Sequence, residues 1–207
     1  MTMRITGGTL CGRRIVTPRN GLIRPTQDRI REALFSMLGA RNNGSRFLDL
    51  FAGSGAVGLE AWSRGADSVW WVEMSRRVCS VLRENVSSLC TADPPSGKAF
   101  SQKARVLNTN AVGFMKKRPS DASFDIIYAD PPYGRNAAAV RQGKLKRKTT
   151  ENWMQKILML LAASEMLATD GLLIIEQAAD QEWTAHRGWM LIHNKVYGDS
   201  RLMFFQQ

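Results

Sequence analysis

The chain has 207 residues, 29 basic against 18 acidic, with a net charge of +11 and a pI near 10.1. Its 44% hydrophobic and 23% charged residues exclude a disordered chain and suffice for one packed domain. The charge points to a polyanionic partner, nucleic acid first; three widely spaced cysteines (Cys11, Cys79, Cys90) and two histidines (His186, His193) exclude a zinc cluster, so no metal is expected. No signal-peptide pattern and no apolar run of membrane-spanning length occurs, so a cytoplasmic protein without a membrane partner is expected.

Residues 1 to 27 are rich in Gly, Arg and Thr. Short strands, forming a hairpin, are expected across Arg4 to Val16. The guanidinium groups of Arg4, Arg13, Arg14 and Arg24 suit phosphate contact. Thr26 can cap a helix from Gln27 to Leu38, with Asp28 favourable in its first turn. Ile30, Ala33, Leu34, Met37 and Leu38 share one face of it and should pack on the core.

A buried strand is predicted over Arg46 to Phe51, with Asp49 near its end. Gly53-Ser54-Gly55-Ala56-Val57-Gly58 fits G-x-G-x-x-G, and a helix should follow to about Arg64. Such a turn brings backbone N–H groups to a ligand at a helix N-terminus. The next strand, Ser68 to Glu73, ends in an acid twenty residues past Gly53, placed for a ribose diol. The default meaning of these glycines is a dinucleotide site. Two features shift the reading to S-adenosylmethionine. Asp49 precedes the glycines where an acid can meet the ammonium of a methionine moiety, and an acceptor motif follows two strands later.

A helix should cover about Ser75 to Leu89, and residues 90 to 103 a polar connection. Asp93-Pro94-Pro95-Ser96 in that connection follows no strand and is a decoy. Arg105 to Asn108 reads as a strand, with Asn110 just past it, near where an adenine would lie. A helix over Ala111 to Arg118 and a strand over Phe124 to Ala129 lead into Asp130-Pro131-Pro132-Tyr133.

That tetrapeptide has the chemistry of methyl transfer to an exocyclic amino nitrogen. Such a nitrogen is a poor nucleophile because its lone pair is delocalised. Two fixed acceptors for its hydrogens, the Asp130 carboxylate and the Pro131 carbonyl, localise the lone pair and stabilise the charge that develops. Tyr133 offers a flat face on which a splayed base can stack. The plain alternative is a rigid loop entry made by the prolines.

Residues 135 to 149 include Arg135, Arg141, Lys144, Lys146, Arg147 and Lys148 and no acid, so substrate contact is expected there as well as on the arginine arm. A helix is predicted over Thr150 to Leu167, a strand over Gly171 to Gln177 and a short helix near Asp180 to His186. Met190 to Tyr197 and Arg201 to Phe205 read as a closing pair joined by Gly198-Asp199. The alternation predicts an α/β doubly wound, mostly parallel sheet of Rossmann-like class with an antiparallel edge strand. Its crevice would lie at the carboxyl ends of the strands. Residues 1–40 are expected to form a basic extension and helix packed on a domain of residues 41–207, one unit overall.

The blocks Arg4-Ile5-Thr6-Gly7-Gly8, Gly12-Arg13-Arg14-Ile15, Arg24-Pro25-Thr26-Gln27-Asp28-Arg29-Ile30-Arg31-Glu32-Ala33-Leu34-Phe35, Asp49-Leu50-Phe51-Ala52-Gly53-Ser54-Gly55, Asp130-Pro131-Pro132-Tyr133 and Tyr197-Gly198-Asp199-Ser200 occur in that order. Together they resemble the bacterial RsmD family, which methylates N2 of one guanine in small-subunit (16S) ribosomal RNA. The resemblance runs from Arg4 to about Phe204, and its specific part is the arginine-proline-threonine block. It implies a class I methyltransferase fold, S-adenosylmethionine as donor, S-adenosylhomocysteine as product, and 16S ribosomal RNA in the 30S subunit or its late precursor as substrate. It implies Thr26 near the methionine carboxylate, and Phe51 in the cofactor set with Asp49, Gly53, Gly55, Glu73, Asn110 and Asp130. A monomer is expected. Cys11 stands where the family usually has a basic residue, and Asn110 where it usually has Asp. A DNA adenine-N6 methyltransferase, a protein glutamine methyltransferase and a non-enzymatic RNA-binding protein are the alternatives. The first usually carries a recognition domain, the second usually has Asn in place of Asp130, and the third would need neither Asp130 nor the glycines.

Overall fold

A computed structural model of the chain describes residues 3–18, 28–90, 103–132 and 152–207. The N-terminal hairpin pairs β1 (Met3–Arg4) antiparallel with β2 (Arg14–Ile15). Then follow α1 (Asp28–Leu38), a 3-10 turn (Gly39–Asn42), β3 (Arg46–Asp49), α2 (Ala56–Ser63), β4 (Ser68–Glu73) and α3 (Arg76–Leu89). After these come β5 (Ala104–Asn108), α4 (Ala111–Lys117), β6 (Phe124–Ala129), α5 (Trp153–Ala162), β7 (Leu167–Ala178), β8 (Met190–Tyr197) and β9 (Ser200–Gln206).

The main sheet has the order β5-β4-β3-β6-β7-β9-β8. From β5 to β7 every pairing is parallel; β9 runs antiparallel to both β7 and β8, so the reversed strand lies one place in from the edge. The chain winds outward from β3 to β5 on one side and from β6 to β8 and β9 on the other. The direction switches between β3 and β6, which is where doubly wound sheets open a ligand crevice.

Alternation along the strands splits the core into two layers. Phe47, Trp71, Tyr128, Ile174 and Phe204 face α1, α2 and α3. Leu48, Trp70, Ile127, Leu173 and Phe205 face α4 and α5, which bury Phe114, Met115, Ile157, Leu158 and Leu161 against them. The hairpin residues Met3, Ile5 and Ile15 belong to the first layer, with Ile30, Leu34, Phe35 and Leu38 of α1.

Several boundaries differ from the sequence reading. In α1 the buried positions include Arg31 and Phe35, whereas Ala33 and Met37 are only half-buried. Arg31 tolerates burial because its guanidinium reaches Asp28 Oδ1 (2.9 Å) and the Arg4 carbonyl (2.6 Å) and lies 3.7 Å from Glu60. The helix predicted to reach Leu167 is α5, capped by Asn152, whose side chain accepts from Gln155 N–H (3.2 Å), and it stops at Ala162. The chain turns there through Glu165 at φ 50°, and β7 has already started at Leu167. No helix forms over 180–186. There Gln177 Nε2 and Arg201 Nη1 both donate to the Gln181 carbonyl (3.2 and 3.1 Å), so side chains replace a helical ladder.

Candidate active site

The site is built at the carboxyl edge of β4, β3 and β6. Asp49 ends β3 in register with Trp71 of β4 and Tyr128 of β6. Leu50 N–H donates to the Tyr128 carbonyl (2.9 Å), so the chain leaving β3 toward Phe51 runs beside the chain leaving β6 toward Asp130. Two segments far apart in sequence are thereby made neighbours.

Side chains from the surrounding strands hold the glycine loop. Glu73 Oε2 accepts from Gly53 N–H (3.0 Å), and its Oε1 accepts from Ser75 N–H (2.7 Å). Trp71 Nε1 donates to the Gly55 carbonyl (3.3 Å). One oxygen of Asp49 accepts from Gly58 N–H (3.1 Å) in the first turn of α2. Gly53 and Gly55 lie at φ 54° and 83°, the left-handed region that explains glycine at both. A Cβ on Gly55 would stand 2.3 Å from Leu82, and one on Gly58 would stand 2.1 Å from the Trp71 indole. These two glycines therefore face the core. A side chain at Gly55 would clash with packing, and Gly58 lets α2 approach β4 closely.

Asp49 is 1% exposed. Burial pushes its carboxyl up to about 7, with the nearby Glu73 charge adding to the rise, while hydrogen bonds from Gly58 and Phe51 pull it back. Glu73 is half-buried at the rim. Asn110 is exposed past β5 and caps α4, its Oδ1 accepting from Gly113 N–H (2.6 Å). That leaves its amide N–H groups to meet a ligand. Phe51 is half-buried and meets the Trp153 ring edge-on at 5.3 Å. Asp130 is half-buried and Pro131 buried.

Of the expected RNA-contact residues, Arg4, Arg13 and Arg14 are exposed on the hairpin, with Arg4 4.0 Å from Asp28. Thr26, Arg24, Tyr133, Arg135, Lys144, Lys146, Arg147 and Lys148 lie outside the described residues. Among the described residues no group of His, Cys, Asp and Glu could hold a metal ion, and no helix is long and apolar enough to cross a membrane.

Three further features were missed in the sequence. Met74 is 72% exposed directly after Glu73, an apolar surface at the mouth of the site whose only signal was its place behind the acid. Trp153 reaches Phe51 across a long connection that hides the contact from any local pattern. Arg76 and Arg77 stand exposed in the first turn of α3, where the helix dipole disfavours cations and no acid offsets them.

The family model described as Conserved hypothetical protein 95 matches residues 3–206. The chain is 32% identical over 206 residues to ribosomal RNA small subunit methyltransferase D of Escherichia coli, covering 99% of this chain and 90% of that one. It is 30% identical over 196 residues to the Haemophilus influenzae protein of the same name, covering 95% and 89%. The solved structure of the Escherichia coli protein yhhF superposes with a TM-score of 0.75 at 31% identity, covering 100% of this chain and 98% of that one. By these matches, spanning nearly its whole length, the chain belongs to the RsmD family, the family of the ribosomal RNA small subunit methyltransferases D.

Proposed function

We propose that the chain is an enzyme that transfers a methyl group from S-adenosylmethionine to the exocyclic N2 of a guanine in small-subunit (16S) ribosomal RNA. The observation that carries this is the acid at the N-terminus of α2. In a dinucleotide site that position receives a pyrophosphate. Here the Asp49 carboxylate occupies it through Gly58 N–H, with Glu73 on Gly53 N–H beside it. Two acids repel an anion and suit a cationic ligand. An acceptor pair, Asp130 and the Pro131 carbonyl, follows the adjacent strand.

S-Adenosylmethionine fits these residues, and when bound it supplies an electrophilic methyl on a sulfonium, leaving S-adenosylhomocysteine. Asp49 would meet its ammonium, Glu73 its ribose hydroxyls and Asn110 its adenine. Gly53, Gly55 and Phe51 would form the loop against it, and Thr26 would meet the methionine carboxylate. No metal is needed in this scheme. Asp130 and the Pro131 carbonyl accept hydrogen bonds from the two N2 hydrogens and direct the nitrogen lone pair away from the ring, and the proton that N2 loses on methylation leaves to solvent. The two prolines keep that acceptor pair from reorganising as charge develops. Tyr133 stacks on the flipped guanine. Arg4, Arg13, Arg14, Arg24 and the loop carrying Arg135, Lys144, Lys146, Arg147 and Lys148 contact phosphates on either side of it.

Tritiated methyl transfer to small ribosomal subunits, naked ribosomal RNA, DNA and protein tests the reading. Label should enter guanine N2 of the small-subunit RNA; label in DNA adenine or protein would replace the reading with another methyltransferase.

Two results are expected at the cofactor and RNA surfaces. An ammonium partner favours ionised Asp49, whose carboxyl stands near 7, so binding releases a proton. Affinity for S-adenosylmethionine should therefore rise from about pH 6 to about pH 7 by calorimetry, and Asp49→Asn should abolish that rise. Separately, Lys144, Lys146, Arg147 and Lys148 replaced together by Ala should flatten the slope of log affinity for the subunit against log salt by about two to three units. Cofactor affinity should not change. An unaltered slope would make that loop a solvated surface.

A further inference from the structure

Asn85 is a polar residue on the buried face of α3, among Val78, Leu82, Val86 and Leu89. It is 1% exposed. A leucine there would complete the apolar stripe, and an amide in that seat is unfavourable unless every polar atom is paired. Its Oδ1 accepts from Val16 N–H (2.9 Å), and its Nδ2 donates to the Val16 carbonyl (2.9 Å) and to the Ser54 carbonyl (3.0 Å). The orientation of the amide is fixed, because the reverse would set its NH2 against the Val16 N–H. One side chain thus pairs with a backbone residue as a neighbouring strand would, and pins the centre of the glycine loop with its second donor.

Ser54 sits between Gly53 and Gly55, whose positive φ values leave the loop without the usual steric restraint of a Cβ. Val16 is the residue after β2, and the chain beyond it leads to Arg24 and Thr26. We propose that Asn85 is a positioning residue that ties the glycine loop at Ser54 to the end of the hairpin at Val16, so that the loop keeps the register in which it meets the cofactor. The proposal rests on the cofactor reading above and adds a residue that touches neither cofactor nor RNA.

The structure contains its own control. Asn42 is 2% exposed and donates to the carbonyls of Ala61 and Arg64 (3.0 Å each), at the far end of α2 from the glycine loop. Asn42→Ala removes an equally buried amide with two backbone hydrogen bonds, one fewer than Asn85 makes, without touching the loop.

Titration calorimetry with S-adenosylhomocysteine tests the role. Asn85→Ala should weaken binding roughly tenfold or more, and Asn42→Ala by less than about twofold. Wild-type affinity in Asn85→Ala, or equal losses in both variants, would overturn the positioning role alone. A wild-type protein that binds no S-adenosylhomocysteine would overturn the cofactor reading, and this role with it. If Asn85→Ala does not fold, Asn85→Asp keeps the acceptor for Val16 N–H and loses both donors. Protonation restores one donor, so the deficit of the variant relative to wild type at the same pH should be large at pH 8 and smaller at pH 5. Wild-type affinity at pH 8 would overturn the proposal.

Discussion

Asp130→Ala should lower single-turnover methylation of the small subunit by about a hundredfold or more, the scale seen when one preorganised transition-state partner is removed. The argument is geometric. Asp130 follows β6 directly and is half-buried, so its carboxylate is placed by the sheet rather than by a free loop. Pro131 is buried behind it and cannot adjust to replace a lost acceptor. Cofactor affinity should change much less than turnover. A variant with near-normal single-turnover rate would remove Asp130 from the chemistry. Tyr133→Ala should also impair turnover, and Tyr133→Phe should be tolerated, because the role assigned to that ring is stacking.

The second large effect is on stability and lies away from the chemistry. Glu60 of α2 is fully buried and accepts from Thr6 N–H (2.8 Å), Thr6 Oγ1 (2.7 Å) and Arg64 Nε (2.8 Å), and it stands 3.7 Å from the equally buried Arg31. It is the post to which the hairpin is tied. Removing one member of a buried charged network leaves the others uncompensated. Glu60→Ala should therefore destabilise the fold by about 3–5 kcal/mol in urea titrations. In a chain of this size that is a fall in Tm of about 10 °C. Thr6→Ala removes one neutral donor to the same carboxylate, the Oγ1 hydroxyl, keeps the backbone N–H, and should cost about 1 kcal/mol. Equal losses in the two variants would show that the buried charge is not what holds the hairpin.

This network also changes the meaning of the first motif. Arg4-Ile5-Thr6-Gly7-Gly8 reads in sequence as part of a basic RNA arm. In the fold, Ile5 is core, and Thr6 binds Glu60. The carbonyl of Gly7 accepts from Ser63 Oγ (2.6 Å). A Cβ on Gly8 would stand 2.0 Å from the Ser63 carbonyl, and Gly8 has φ 78°. The glycines are there to let the hairpin lie on the end of α2, while Arg13 and Arg14 stay exposed.

What the sequence determined by itself was whatever is encoded in short periodic runs. β4 and β6 have the predicted bounds, and α3 and α4 differ by one residue at an end. The reason is local: strands buried on both faces are continuous apolar runs, and Ser75 and Asn110 cap their helices with their own side chains. The glycine loop, the acid at the end of β4 and the Asp130 motif are legible for the same reason, since each chemical task needs particular residues at fixed spacing. The end of α5 was not legible, because Ala163 to Met166 is as favourable to a helix as what precedes it. The turn comes instead from β7, whose start at Leu167 is set by its pairing with Phe124. Only the tertiary structure decided who meets whom. The order of parallel strands sets the Asp49 end of β3 beside the end of β6 that leads to Asp130, and the docking of α1 and the hairpin on α2 brings Glu60 to Arg31. Asn85 joins Val16 and Ser54 across segments with no shared local pattern. Buried polar groups must be paired, but sequence spacing says nothing about partners brought in from elsewhere in the chain.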